Sequence, residues 1–223
     1  MSQEWQPLLL TFRLAALTTA ILLLVGIPLA YWLTRSRARI KPVIETVVSM
    51  PLVLPPSVLG FYLLLAFSPQ HAFGHWLEQW LHVRLAFSFA GLVVGSVIFS
   101  LPFMVHPIQS GFQSLPASLL EASRTLGKPD IVTLFRVLLP NIKPALLSGV
   151  VLSFAHTIGE FGVILMIGGN IPGATRVASI AIYDEVESLD YAAANFHALT
   201  LLAVSFAILL TVFVINRKWL RAR

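Results

Sequence analysis

The chain has 223 residues, of which 57% are hydrophobic and only 11% are charged, and its formal net charge is +5. A soluble domain carries about 25% charged residues, so this composition excludes a soluble domain. Because the apolar residues are also gathered in long runs, the sequence indicates an all-α integral membrane protein. The absence of cysteine excludes disulfides and thiolate metal sites, and the positive charge follows the membrane topology described below rather than indicating nucleic acid.

Five apolar segments are long enough to cross a membrane as helices, which takes about 20 residues. We predict one transmembrane domain over 1–223, with spans at about 11–34, 46–67, 86–106, 144–168 and 196–216. The third and fourth spans are joined by a long loop at about 110–143.

Positive charge assigns the two sides of the membrane. Twelve Lys and Arg residues follow the first, third and fifth spans, against only Arg84 and Arg176 in the opposite loops. Because short cytoplasmic loops carry an excess of Lys and Arg, this distribution predicts an outer N-terminus, a cytoplasmic C-terminus and a cytoplasmic loop at 110–143.

The second span contains Pro51, Pro55 and Pro56, with Gly60 just beyond them. Prolines this close free several backbone carbonyl groups, so we predict that the helix is kinked or locally unwound here. In a membrane those carbonyl groups need partners, and the segment is therefore expected to pack on protein or to line a cavity.

A short helix is predicted between the second and third spans. Trp76, Leu77, Trp80 and Leu81 fall on one helical face within residues 68–85. Aromatic side chains on one face are typical of a helix that lies at the membrane interface.

The polar stretch Glu121–Pro140 is predicted to form two short helices with a break between them. Pro116 suits the first turn of a helix, and Gly127 suits its end. Asp130 can cap the second helix, which Pro140 would close. The apolar face predicted for the first helix carries Leu115, Leu119, Ala122 and Leu126, and that of the second carries Ile131, Leu134, Phe135 and Leu138.

The chain offers little support for an enzyme. It contains neither a P-loop nor a His-Glu-x-x-His motif, and its six histidines are scattered. We therefore expect no catalytic residues, cofactor or metal, and a transport subunit powered by a separate ATPase fits better.

His156 and Glu160 are the one ionisable pair within a predicted span, four residues apart. A charge at membrane depth is costly, so the pair should face protein or water. It is either a pathway or gate element or a mutual hydrogen bond that stabilises a subunit contact. Glu160 is not expected to bind an anion directly, because like charges repel.

The loop at 110–143 carries a resemblance to a known family. Glu121-Ala122-Ser123, with Gly127 four positions later and Leu139-Pro140 beyond, resembles the cytoplasmic EAA loop of ABC-importer permeases. In that family the loop docks on the ATPase. The resemblance implies coupling to an ATPase through Glu121, Ala122, Ser123, Arg124, Leu126, Gly127 and Pro140. The alternative is an amphipathic connector on the membrane surface.

The resemblance extends over nearly the whole chain. Residues 51–65, 84–94 and 158–176 resemble the permease subunits of molybdate importers, with the sulfate/thiosulfate and tungstate permeases as close relatives. It implies a type I ABC-importer permease in the inner membrane, working by alternating access. The implied partners are two ATP-binding subunits, a periplasmic molybdate-binding protein and a second copy of this chain.

Candidates for lining the pathway or gate come from three places: the proline-rich break in the second span, the pair His156 and Glu160, and the turn after the fourth span. These candidates are Pro55, Pro56, Ser57, Gly60, His156, Glu160, Asn170 and Arg176. Arg176 could instead anchor the chain at the interface. The alternatives for function are another oxyanion as cargo, or a channel or accessory membrane protein that needs no ATPase.

Overall fold

The computed structural model describes the backbone of residues 3–221 and the side chains of residues 4–214. Of the basic tail used to assign topology, Arg223 and the side chains of Arg217, Lys218 and Arg221 lie outside these described parts. Within the described range every regular element is helical.

The α-helices are α1 (Gln6–Arg35), α2 (Lys41–Val53), α3 (Pro56–Phe67), α4 (Ala72–Leu81), α5 (Phe89–Gln113), α6 (Ala117–Thr125), α7 (Asp130–Thr133), α8 (Leu139–Asn141), α9 (Lys143–Ile158), α10 (Gly162–Gly168), α11 (Ala178–Glu187) and α12 (Tyr191–Arg221). A 3-10 turn at Gln3–Trp5 precedes α1, and a π-helical segment at Leu134–Leu138 joins α7 to α8.

Three helices are each long and apolar enough to cross a membrane: α1, α5 and α12 as far as Val214. Two further pairs qualify only as broken spans. Helices α2 and α3 are bent by 116° at their junction, and the run Asp130–Asn141 is bent by 80° from α9. The described part of the chain therefore contains three unbroken candidate spans, or up to five if each bent pair counts as one.

The centre of the bundle is formed by α1, α5 and α9, which pack against one another. Fully buried side chains on their facing sides include Leu14, Leu22, Leu92 and Met104. A hydrogen bond of 2.8 Å from the Ala178 N–H to the Thr11 hydroxyl joins α1 to the start of α11. These contacts hold the centre of the bundle together.

The predicted break in the second span is confirmed. Helix α2 ends at Val53, and α3 begins only at Pro56. Pro55 and Pro56 have no N–H to donate, and a proline disfavours the helical conformation of the residue before it, so Pro55 is extended with ψ of 136°. Helix α3 then packs along α10.

The fourth predicted span is not the continuous helix that its apolar composition indicates. Helix α9 ends at Ile158, and α10 begins at Gly162. Glycines at 159 and 162 weaken a helix, and Phe161 leaves the helical region with φ of −129° and ψ of −62°. Two broken helices thus face each other inside the bundle.

The short helix between the second and third spans is confirmed as α4. Leu77 packs against the core, whereas Trp76 and Trp80 are 50% and 74% exposed. Ser88 caps the following helix, since its hydroxyl accepts from the Gly91 N–H at 3.1 Å. Helix α5 runs on to Gln113, beyond the predicted end of the third span.

Candidate functional site

The EAA loop, residues 110–143, holds the first group of predicted site residues. Pro116 is the N-cap of α6, and Gly127 follows its end with φ of +65°, the left-handed conformation expected from the sequence. The Lys128 N–H donates to the Ser123 carbonyl at 3.1 Å, which closes the turn. The predicted arrangement of two short helices joined by a turn is therefore present in the loop.

Ser123 is the residue that holds the two halves of the EAA loop together. Its side chain is buried, and its hydroxyl lies 2.7 Å from the Thr133 hydroxyl. Because Thr133 gives its single hydrogen to the Pro129 carbonyl at 3.2 Å, Ser123 is the donor in this contact. The sequence pattern identified Ser123 only as a small residue, and nothing local indicates its partner.

The predicted apolar faces of the EAA loop are only partly correct. Leu134 and Leu138 are buried, but Leu126, Ile131 and Phe135 are 73%, 60% and 59% exposed. Helices α6 and α7 are short and are joined by the Ser123–Thr133 hydrogen bond, and within the described part of the chain these three apolar side chains remain exposed.

Two local predictions in the EAA loop are wrong. Asp130 does not cap its helix; its carboxylate lies 3.6 Å from the Arg124 guanidinium, and Pro129 is the N-cap. Pro140 does not end the helical run, which continues to Asn141. The π-helical segment before it shifts the backbone bonding so that the Leu139 N–H bonds the Leu134 carbonyl.

A second group of site residues lines a hollow between the two broken helices, which we name the break hollow. Its volume is about 650 Å³. It is lined by Pro56, Ser57, Phe99, Ala155, His156, Gly159, Glu160, Phe161 and Gly162. Four pathway candidates are thus brought together: Pro56, Ser57, His156 and Glu160. Pro55 is exposed just before them, and Gly60 is buried one turn further along.

The two broken helices approach each other through glycine. A Cβ at Gly162 would lie 2.9 Å from the Pro56 Cβ, and one at Gly60 would lie 2.8 Å from the Met166 Cβ and 3.2 Å from the Val163 Cα. Contacts this short leave no room for a side chain. Glycine at these positions therefore allows α3 and α10 to pack closely beside the break hollow.

A chain of hydrogen bonds fixes the orientation of His156. Its Nδ1 lies 2.9 Å from the Ser100 hydroxyl, which lies 3.1 Å from the Thr157 hydroxyl, and Thr157 donates to the Ser153 carbonyl at 2.9 Å. A hydroxyl has one hydrogen, so Ser100 donates to Thr157 and accepts from His156. The hydrogen of the neutral ring is therefore on Nδ1, and Nε2 is left as an acceptor.

The predicted contact between His156 and Glu160 is wrong. Both carboxylate oxygens of Glu160 are buried without a hydrogen-bond partner among the described residues, and the nearby Ser96 hydroxyl is not in bonding geometry. The reason is the end of α9 at Ile158, since the spacing of four brings side chains together only in a continuous helix. The Glu160 main-chain carbonyl accepts from the Ser179 hydroxyl at 2.7 Å.

A double-mutant cycle tests this arrangement. We expect His156→Leu and Glu160→Gln to change the stability of the purified protein independently, with a coupling energy below about 0.5 kcal/mol. His156→Leu and Ser100→Ala should instead couple by about 1 kcal/mol, because each removes the same hydrogen bond. Thermal unfolding in detergent measures both cycles, and the reverse ranking would contradict the hydrogen-bond chain.

Thiol labelling tests whether the break hollow meets water. In this cysteine-free chain, we expect Ser57→Cys to react with a water-soluble thiol reagent in at least one transport state, because Ser57 is exposed and lines the hollow. Ser153→Cys is the matched control and should stay unlabelled, since Ser153 is fully buried. Protection of Ser57→Cys in every state, with transport intact, would remove this segment from the pathway.

The remaining candidates, Asn170 and Arg176, lie apart from the break hollow. Asn170 is exposed, and the Arg176 guanidinium is 2.7 Å from the Asp184 carboxylate. Arg176 lines a separate hollow of about 770 Å³ between the N-terminal segment and α12. As a donor for cargo, Arg176 would have to share its guanidinium with Asp184.

Sequence reasoning missed His197 in this second hollow. The side chain is 3% exposed, with Nδ1 at 2.9 Å from a Glu185 oxygen and Nε2 at 2.8 Å from the Glu4 carbonyl. It links the N-terminal segment, α11 and α12. Its place at the start of the predicted fifth span is a weak signal, and its partners Glu185 and Glu4, which are 12 and 193 residues away, do not follow from any spacing rule. Within the described residues, no group of three or more His, Asp or Glu side chains is placed to hold a metal.

Comparison with known proteins places the chain in a family. The family model described as binding-protein-dependent transport system inner membrane component matches residues 22–222. The chain is 47% identical to the molybdenum transport system permease protein ModB of Azotobacter vinelandii, over 93% of this chain and 92% of the relative. It is 32% identical to the sulfate transport system permease protein CysT of Escherichia coli (strain K12), over 87% of this chain and 70% of the relative.

The fold is also that of a solved transporter. A bacterial alginate ABC transporter, in complex with alginate pentasaccharide-bound periplasmic protein, has a chain that superposes with a TM-score of 0.80 at 18% identity. The match covers 98% of this chain and 80% of that one. The fold is therefore that of type I ABC-importer permeases, and the chain belongs to the family of binding-protein-dependent transport system inner membrane components.

Proposed function

We propose that the chain is the permease subunit of an ATP-driven importer that moves molybdate across the inner membrane by alternating access. The observation that carries this proposal is its 47% identity to a molybdenum permease over nearly the whole of both chains. Sulfate is a weaker alternative, since the sulfate permease is 32% identical. Tungstate is a second alternative, because it is nearly equal to molybdate in size and charge.

The proposed topology has five spans within a single domain, 1–223, with an outer N-terminus and a cytoplasmic C-terminus. The spans are α1, the bent pair α2 and α3, α5, α9 continued by α10, and α12. The run Asp130–Asn141, which is bent by 80° from α9, is assigned to the EAA loop and not to the fourth span. Its support is the charge distribution, since twelve Lys and Arg residues lie on the proposed cytoplasmic side and two on the other. This topology puts the EAA loop where an ATPase would be.

The EAA loop is proposed to dock on the ATPase. Three large apolar side chains, Leu126, Ile131 and Phe135, are exposed beside Glu121 and Arg124. Large apolar side chains grouped on a short polar loop favour a protein partner. We assign the contact to these residues together with Ala122, Gly127 and Pro140, and we assign Ser123 the role of keeping the two halves of the loop in place.

The proposed assembly holds two copies of this chain, two ATP-binding subunits and a periplasmic molybdate-binding protein. The family description supports a binding protein as partner, and the alginate transporter contains one. A channel or accessory protein that needs no ATPase is the alternative from another class. Co-purification with a P-loop ATPase separates the two.

Uptake of labelled molybdate tests the proposed function. A strain that lacks the gene for this chain is expected to lose uptake and to regain it when the gene is restored. Unlabelled tungstate should compete about as well as molybdate, and sulfate should compete more weakly. Uptake that is unchanged in the deletion strain, or that is competed best by sulfate, would contradict molybdate as the cargo.

A further inference from the structure

Glu160 is a buried acidic side chain, and the nearby Ser96 hydroxyl is not in hydrogen-bonding geometry with it. It is 4% exposed, and neither carboxylate oxygen has a hydrogen-bond partner within the described part of the chain. A buried carboxylate without a partner is strongly unfavourable, whereas a neutral carboxylic acid costs much less. The position therefore suits the protonated acid, which carries one O–H donor.

The lining of the break hollow also includes a second kind of donor, the N-terminus of α3. Helix α3 has twelve residues and begins at Pro56, so the first N–H of its N-terminus belongs to Ser57. The N-terminus of a helix carries a partial positive charge and binds anions. Ser57 is exposed, and both it and Glu160 line the hollow.

His156, on the same hollow, restricts what can bind there. Its Nδ1–H is given to Ser100, so the neutral ring presents only the lone pair of Nε2 as an acceptor. An oxyanion has only acceptors to offer and gains nothing from that nitrogen. The side chains and helix N-terminus that can donate to it in the hollow are the Ser57 hydroxyl, the Ser57 N–H at the start of α3, and Glu160 if it is protonated.

We propose that Glu160 is a neutral carboxylic acid that donates a hydrogen bond to the tetrahedral oxyanion as it passes the break hollow, together with the Ser57 N–H. This inference rests on the proposed function, and it assigns a cargo contact within the same pathway. An ionised Glu160 would repel a dianion. The neutral acid removes that repulsion and keeps its proton throughout, so no proton is transported.

The test uses the whole importer, with ATPase and binding protein, reconstituted in vesicles. Glu160→Gln keeps a neutral donor of the same shape and should support uptake within about threefold of wild type, whereas Glu160→Leu has no donor and should lower uptake at least about tenfold. Glu187→Gln, an exposed change outside the hollow, is the matched control and should leave uptake unchanged.

Equal losses in Glu160→Gln and Glu160→Leu would show that the charge is needed and overturn the proposal. Normal uptake by Glu160→Leu would overturn it as well. If the leucine variant fails to assemble, Glu160→Gln still decides, together with infrared difference spectra of wild type against that variant. These should contain the C=O band of a protonated carboxylic acid, and carboxylate bands in its place would overturn the proposal.

Failure of the proposed function gives a different result. Molybdate, tungstate and sulfate are each supplied to the wild-type importer. If it takes up none of them, the proposed function is refuted, and the infrared band alone then decides the protonation of Glu160.

Discussion

Replacing Gly60 with valine is expected to lower the stability of the protein by about 2 kcal/mol and its thermal midpoint by several degrees. The added side chain would meet the Met166 Cβ at 2.8 Å and, more seriously, the Val163 Cα at 3.2 Å. Backbone cannot yield as a flexible side chain can, so α3 must move away from α10. The break hollow beside this junction would then change shape, and uptake should fall with stability.

A graded series distinguishes this steric effect from helix propensity. Gly60→Ala should still destabilise, although alanine in place of glycine favours an isolated helix by about 1 kcal/mol. Ala90→Val on α5 adds bulk at an exposed position and is the control, expected to stay near wild type. Unfolding of purified protein measures all three. If Gly60→Ala is more stable than wild type, the close contact of α3 and α10 is not present in the protein.

The parts of the fold that the sequence predicted correctly are those encoded by neighbouring residues. The break after Val53 follows from two adjacent prolines, and the left-handed turn follows from Gly127 placed after a short amphipathic helix. Helix α4 follows from aromatic residues at helical spacing. In each case the signal lies within a few residues of the feature it predicts.

The features that sequence reasoning missed depend on distant contacts. The break after Ile158 lies within a continuous apolar run, where glycine alone is a weak signal, and the approach of Pro56 to Gly162 helps to define it. That break also invalidated the expected pair of His156 and Glu160. The true partner of His156 is Ser100, on another helix, and no spacing rule connects them.

The site residues also divide into those that a local sequence pattern identifies and those that depend on distant contacts. Glu121 and Gly127 could be chosen from a local pattern, whereas the exposure of Ile131 and Phe135 could not, because they follow helical spacing and would be buried if a neighbouring helix covered them. Sequence periodicity marks which face is apolar, but it does not say whether that face meets the chain's own core or another protein.

Gly127→Val is expected to release the ATPase subunit during purification and to lower uptake at least about tenfold, while the thermal midpoint of the permease falls less than in Gly60→Val because the strain is local. Gly127 has φ of +65°, and a Cβ there would find nothing within 4 Å. The cost is therefore conformational, about 1–2 kcal/mol for an ordinary residue, and more for a β-branched one. Because no core contact is involved, the distortion stays within the EAA loop.

Asparagine provides the matched comparison for that change, since it tolerates the left-handed conformation better than other residues with a side chain. Gly127→Asn should keep most of the ATPase and most of the uptake, with Gly127→Ala between the two. Glu121→Ala should be milder than Gly127→Val, because an exposed charge contributes little to docking. If Gly127→Val retains its ATPase and transports normally, the shape of the EAA loop is not what the ATPase recognises. A fall in thermal midpoint equal to that of Gly60→Val would instead show that this turn supports the membrane domain itself.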